Sequence, residues 1–109
     1  MVVNVCPAAV TAAPSERVWN VVANPERFGE WAGARFVSAE PPGMVQRGQV
    51  IHLMARGFGR EWPVPMDVRD VDPQHEWLDV VVHLPLGVTN YERLTLTETK
   101  EGGTLVRFN

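Results

Sequence analysis

Four polar side chains interrupt segments that otherwise alternate as apolar strands: His52, His83, Asn90 and Glu92. His52 shares a face with Val50 and Met54, and His83 follows Val81 on the alternate face of its segment. Asn90 and Glu92 precede Leu94 and Leu96 on one face, with Tyr91 directed the other way. A polar group on an apolar surface needs a partner, which is a ligand, a water or another side chain. Groups placed this way orient the polar end of a small molecule. His52, His83, Tyr91 and Glu92 can also carry protons, as acid–base catalysis requires. Ordinary structural roles compete with both readings. Either histidine fits a hydrogen-bonded surface position, and Glu92 fits a solvated rim or an ion pair with Arg56 or Arg93. The apolar complement is large. Phe28, Trp31 and Trp62 form a candidate aromatic wall, and Met66 and Leu94 are inward positions beside it.

Other chemistries find no support. Cys6 stands beside Pro7 with no histidine near it in sequence, which suits an inert buried thiol. His52, His75 and His83 lack metal-ligand spacing, so neither a metal nor a cofactor is expected. Gly57-Phe58-Gly59 and Gly102-Gly103 are hairpin tips rather than phosphate loops, because no helical pattern follows them. No residue is assigned a catalytic role.

The elements that must position these residues follow an uncommon order. Val2 to Val10 reads as a strand, at an edge or bulged, because Pro7 cannot donate to a ladder. Two short helices come next. Pro14 suits the first helical position, Glu16 the first turn, and Val18, Val21, Val22 and Trp19 an apolar face. Asn24-Pro25 ends that helix and caps a second, on which Phe28 and Trp31 point inward together. Six strand-like segments follow: 35–40, 49–56, 60–71, 76–84, 88–99 and 104–108. Turns at Pro41-Pro42-Gly43, Gly57-Phe58-Gly59, Asp72-Pro73-Gln74, Pro85-Leu86-Gly87 and Glu101-Gly102-Gly103 separate them. Pro63 and Pro65 share one face of the third segment, which suggests an edge or a distorted strand start. The inward set is Trp19, Val22, Phe28, Trp31, Phe36 and Leu53, then Trp62, Val64, Met66, Val80 and Val82, then Leu94, Leu96, Val106 and Phe108. Antiparallel neighbours with short turns give one curved sheet of about seven strands, an α+β fold with the helices over one end or face.

At 109 residues the chain is one domain spanning 1–109. Its net charge is −3 with signs interleaved. The absence of a basic run argues against nucleic acid and anionic membranes as partners. No apolar stretch reaches membrane-spanning length, and the N-terminus lacks a basic leader, so a cytoplasmic location without membrane insertion is expected. A lone cysteine fits a reducing compartment.

The segments A-P-S-E-R-V-W, N-P-E-R-F-G-E-W and K-E-G-G-T-L-V-R-F, in this order, resemble the START/Bet v 1-like (SRPBCC) superfamily over the whole chain. The resemblance is strongest to its bacterial polyketide cyclase/dehydrase-like members. It implies a helix-grip fold, in which a bent sheet wraps a long C-terminal helix around a cavity. That helix would follow Asn109. The chain is therefore read as truncated before it, or as covered by other means. An uncovered concave face favours association, including a homodimer through the sheet. The resemblance implies binding of a small hydrophobic or amphipathic molecule such as a lipid, an isoprenoid or an aromatic metabolite. An aromatase/cyclase-type enzyme is the alternative, and a protein-interaction domain similar to Hsp90 co-chaperones is a further one.

Overall fold

The computed structural model describes residues 8–108. Cys6, Pro7 and most of the first expected strand lie outside that range. The elements run β1 (Ala8–Thr11), α1 (Ser15–Val22), a 3-10 helix (Pro25–Glu30), β2 (Ala34–Glu40), β3 (Val50–Gly57) and β4 (Arg60–Asp72). Then come β5 (Trp77–Leu84), β6 (Val88–Glu98) and β7 (Thr104–Phe108). All seven strands form one antiparallel sheet in the order β1-β7-β6-β5-β4-β3-β2. Six strands therefore follow the helices, as the turn residues dictate. β1 is an edge strand, and β2 is the other edge.

Pro14 is the N-cap of α1 rather than its first residue, and Asn24 caps the next helix by accepting from the Glu26 N–H at 3.2 Å. The buried stripe of α1 is Ser15, Trp19 and Val22, so Val18 and Val21 lie at its margins. β4 is an interior strand, not an edge. Its prolines are tolerated for a local reason. Pro63 and Pro65 pair with β3, but pairing with β5 begins only at Met66. The missing N–H groups fall on a stretch that β5 does not reach.

Register settles the two faces. Leu53, Val64, Met66, Val80, Leu94 and Leu96 point to the concave side and are buried. A bulge between Val68 and Asp70 and another between Phe36 and Ser38 bend β4 and β2.

The two ends of the sheet are built differently. At one end α1 crosses the concave side, tied to β6 and β7 through Ser15 Oγ to Glu98 (3.5 Å) and Thr104 Oγ1 to the Ala13 carbonyl (2.8 Å). The β2–β3 loop closes the same end. Its Val45 N–H donates to the Ala23 carbonyl at 2.8 Å, and the fully buried Gln49 donates to the Pro41 and Gly43 carbonyls. Gly103 lies so close to β1 that an added Cβ would sit 2.3 Å from the Thr11 carbonyl oxygen.

The opposite end carries the β3–β4 and β5–β6 tips. Phe58 and Leu86 there hold φ of 52° and 68°. The left-handed region costs a non-glycine residue about 1–2 kcal/mol.

Candidate functional site

The Pro25–Glu30 helix lies along β2 and brings its apolar side chains across the concave face. Phe28 and Trp31 meet edge to face, with ring centroids 4.9 Å apart. Trp31 then stacks on Phe108 of β7, at 5.6 Å and 30°. β2 and β7 are separated by four strands in the sheet order. The contact spans that gap because Trp31, the C-cap of the helix, is carried over the concave face to reach β7. The Trp31 Nε1 is closed off from solvent without a hydrogen-bond partner among the described residues.

Beneath this aromatic row lies a cavity of about 450 Å³. Phe28, Trp31 and Phe108 form one wall, and Leu53, Met66, Val80, Val82 and Leu94 form the sheet side. Leu84, Asn90 and Glu92 stand toward the tip end. Asn90 Nδ2 donates to Glu92 Oε1 at 2.8 Å. Among the described residues Glu92 is the only ionisable side chain in the lining. A shallow groove of about 540 Å³ lies elsewhere, outside β2, and is lined by Arg35, Arg56, Glu26 and Glu61. It lacks the apolar enclosure that small-molecule sites use.

Of the expected site residues, Phe28, Trp31, Met66, Asn90, Glu92 and Leu94 converge on the cavity. His52, His83 and Trp62 do not line it. The histidines lie on the opposite, convex face, because each is one residue out of phase with the inward set. His83 Nε2 contacts Asp67 Oδ2 there at 2.7 Å. Trp62 belongs to the concave side, but its ring sits at the β3–β4 tip, with Nε1 donating to the Gly57 carbonyl and Arg60 stacked over it at 4.1 Å. Glu92 has no ion pair among the described residues. Arg93 bonds Asp79 instead, at 2.6 Å, and that hydrogen bond raises the arginine above its ordinary pKa. Val82, Leu84 and Phe108 complete the lining. Val82 and Phe108 were inward in the sequence pattern, but only the curl of the sheet identifies them as cavity wall.

The sequence profile of a family described as Activator of Hsp90 ATPase homolog 1-like protein matches residues 12–109. No curated protein sequence matches the chain. Among solved structures, protein Ms6760 from Mycobacterium smegmatis is similar with a TM-score of 0.72 at 20% identity, over 94% of this chain and 68% of that one. Ara h 8.0201 is similar with a TM-score of 0.71 at 14% identity, over 95% and 72%. The di-domain ARO/CYC StfQ from the steffimycin biosynthetic pathway gives 0.74 at 20% identity. That match covers 97% of this chain but 36% of the di-domain protein. At such identities the likeness establishes the fold, which is the Bet v 1-like helix grip. No long helix follows β7 among the described residues. No described helix is long and apolar enough to cross a membrane.

Proposed function

The chain belongs to the Activator of Hsp90 ATPase homolog 1-like family, and from that premise we propose that it binds a small, mainly apolar molecule in the concave cavity. One observation carries this reading. A cavity of about 450 Å³ is walled by aromatic and aliphatic side chains, with polarity limited to Asn90, Glu92 and the buried indole N–H of Trp31 among the described residues. Its size and lining match those of sites for small molecules.

The polar pair narrows the ligand. Asn90 already gives one N–H to Glu92, so the free capacity facing a ligand is mostly acceptor: the Asn90 carbonyl and the remaining carboxylate lone pairs. The matching ligand has an apolar body and a hydroxyl or amine donor at one end, as in a lipid, an isoprenoid alcohol or a phenolic polyketide. Burying about 300 Å² of ligand surface supplies roughly 7 kcal/mol. A hydrogen bond adds about 1 kcal/mol net. The apolar wall therefore sets affinity, and Asn90 and Glu92 set orientation.

A cyclase-type reaction is the second reading. It is favoured by Glu92, an ionisable group at the rim of an apolar cavity.

Displacement of anilinonaphthalene sulfonate, with solvent extraction of the purified protein for bound metabolites, tests the binding reading. Val82→Phe fills the cavity and is expected to abolish probe binding. Glu92→Gln should bind the probe like the wild type while weakening a hydroxylated ligand about fivefold. Undiminished probe binding by Val82→Phe would overturn the assignment of the cavity. Turnover of a poly-β-ketone substrate that is lost in Glu92→Gln would favour the second reading.

A further inference from the structure

Two hairpin tips lie at the open end of the sheet, and each holds an apolar side chain in solvent. Phe58 is 101% exposed and Leu86 is 96% exposed. Each occupies the left-handed region and is followed by a glycine at positive φ, Gly59 at 76° and Gly87 at 75°. Asn-Gly or Gly-Gly adopts such a turn without strain. Phe58 and Leu86 therefore work against folding twice, through the backbone conformation and through apolar surface left in water. The remaining non-glycine residue at positive φ, Glu76, lies in the β4–β5 turn at the closed end and is charged. A strained turn position in this fold does not itself call for an apolar side chain. Leu84 and Val88, beside the second tip, are exposed as well.

Charge around the first tip is of one sign. The stretch reads Arg56-Gly57-Phe58-Gly59-Arg60. Arg56 lies on the convex side, and Arg60 lies on the concave side over Trp62. Glu61, the acid next in sequence, is engaged by Arg35 through two hydrogen bonds of 3.2 Å. The chain as a whole carries −3. The first tip is therefore locally opposite in sign to the whole molecule, a contrast that no basic run in the sequence announces.

We propose that the Phe58 and Leu86 tips dock this end of the sheet peripherally on an anionic lipid bilayer. Two separate apolar points, the first flanked by guanidinium groups, fit a deformable, negatively charged surface better than a flat protein face, which would need contiguous apolar area. Phe58 and Leu86 enter the headgroup region, and Arg56 and Arg60 contact lipid phosphates. No spanning element is required. Docking does not depend on what fills the cavity, although Leu84 and Asn90 of its wall lie on the two strands that lead into the second tip.

Flotation with vesicles tests this, using pure phosphatidylcholine and an equimolar phosphatidylcholine–phosphatidylserine mixture. The wild type should float with the mixed vesicles and much less with phosphatidylcholine. Phe58→Asn with Leu86→Asn removes both wedges and relieves both turns. That double variant should melt higher than the wild type yet lose vesicle affinity at least about tenfold. Arg56→Gln with Arg60→Gln should cost about thirtyfold on mixed vesicles, at about fivefold for each arginine, with little change on phosphatidylcholine. A wild type that floats with neither vesicle overturns the proposal, as does flotation that both double variants retain. Concentration-dependent dimers in lipid-free sedimentation, abolished by the asparagine variants, would overturn it in favour of a contact between two copies.

Discussion

The closed end of the sheet and its open end are built from the same strands, yet they spend their side chains differently. Ala23, Ile51, Val68, Gln49 and Thr104 are at most 1% exposed at the closed end. At the open end Leu84 is 39% exposed and Ala55 is only half-buried, as are Val82 and Phe108 along the cavity wall. One end holds the fold together, and the other keeps room on the concave face. The tightest and the loosest packing are thereby placed on different residues of a small core.

The largest expected effect tests that division directly. Ile51→Ala should cost about 2–5 kcal/mol in urea unfolding, because a fully buried side chain leaves a cavity that cannot collapse. Val82→Ala, in the same cross-strand row but at a half-buried position of the cavity wall, should cost about 1 kcal/mol or less. Equal losses would dissolve the distinction between packed core and cavity wall. Glycines offer a second pair. Gly103→Ala drives a Cβ against the Thr11 carbonyl and should cost about 3 kcal/mol. Gly57→Ala meets nothing within 4 Å and should stay within about 0.5 kcal/mol of wild type. Thermal melts of the two variants check this. Gln49→Met comes next. It strips the donors from the Pro41 and Gly43 carbonyls and should cost about 1–3 kcal/mol, read as a lower melting temperature.

The smallest effect depends on pH. The Asp72 carboxyl is held below its usual value, first by the His75 side chain and then by the His75 N–H. A lowered folded pKa favours the ionised form, so its contribution is complete above the unfolded pKa of about 4. It is lost as pH falls through the folded value. Asp72→Asn should flatten a shallow acid limb in the stability profile, and the slope of melting temperature against pH below the ordinary carboxylate range measures it. The Glu30 carboxylate, lowered by its hydrogen bonds from Arg27, predicts a limb of the same sign.

Much of this arrangement was legible in the residues. Asn24-Pro25 marked the joint between two helices, and each glycine or proline turn fell where a strand ends, because those residues restrict φ locally. Alternation placed Leu53, Met66, Val80 and Leu94 inward. It also placed His52 and His83 outward, and only their polarity made them candidates for the site. Three features depend on long-range geometry. Trp31 meets Phe108 only because the 3-10 helix folds back across the concave face, and Pro65 is tolerated only because β5 starts pairing one residue later. Gln49 is buried in a loop that a local reading treats as the polar start of a strand.

The pairing of β1 with β7 sets an order of events in time. Among the described residues Ala8 to Thr11 have no strand partner other than Thr104 to Arg107, and the Ala13 carbonyl accepts from a hydroxyl 91 positions away. Closing so long a loop carries an entropic cost that grows with length and slows folding. The β3–β4 and β5–β6 hairpins can assemble early from neighbours in sequence. The first edge of the sheet and the start of α1 must wait for the last strand to be made. Refolding followed by amide exchange should therefore show Val10 and Thr11 protected last, on a timescale of roughly milliseconds to seconds.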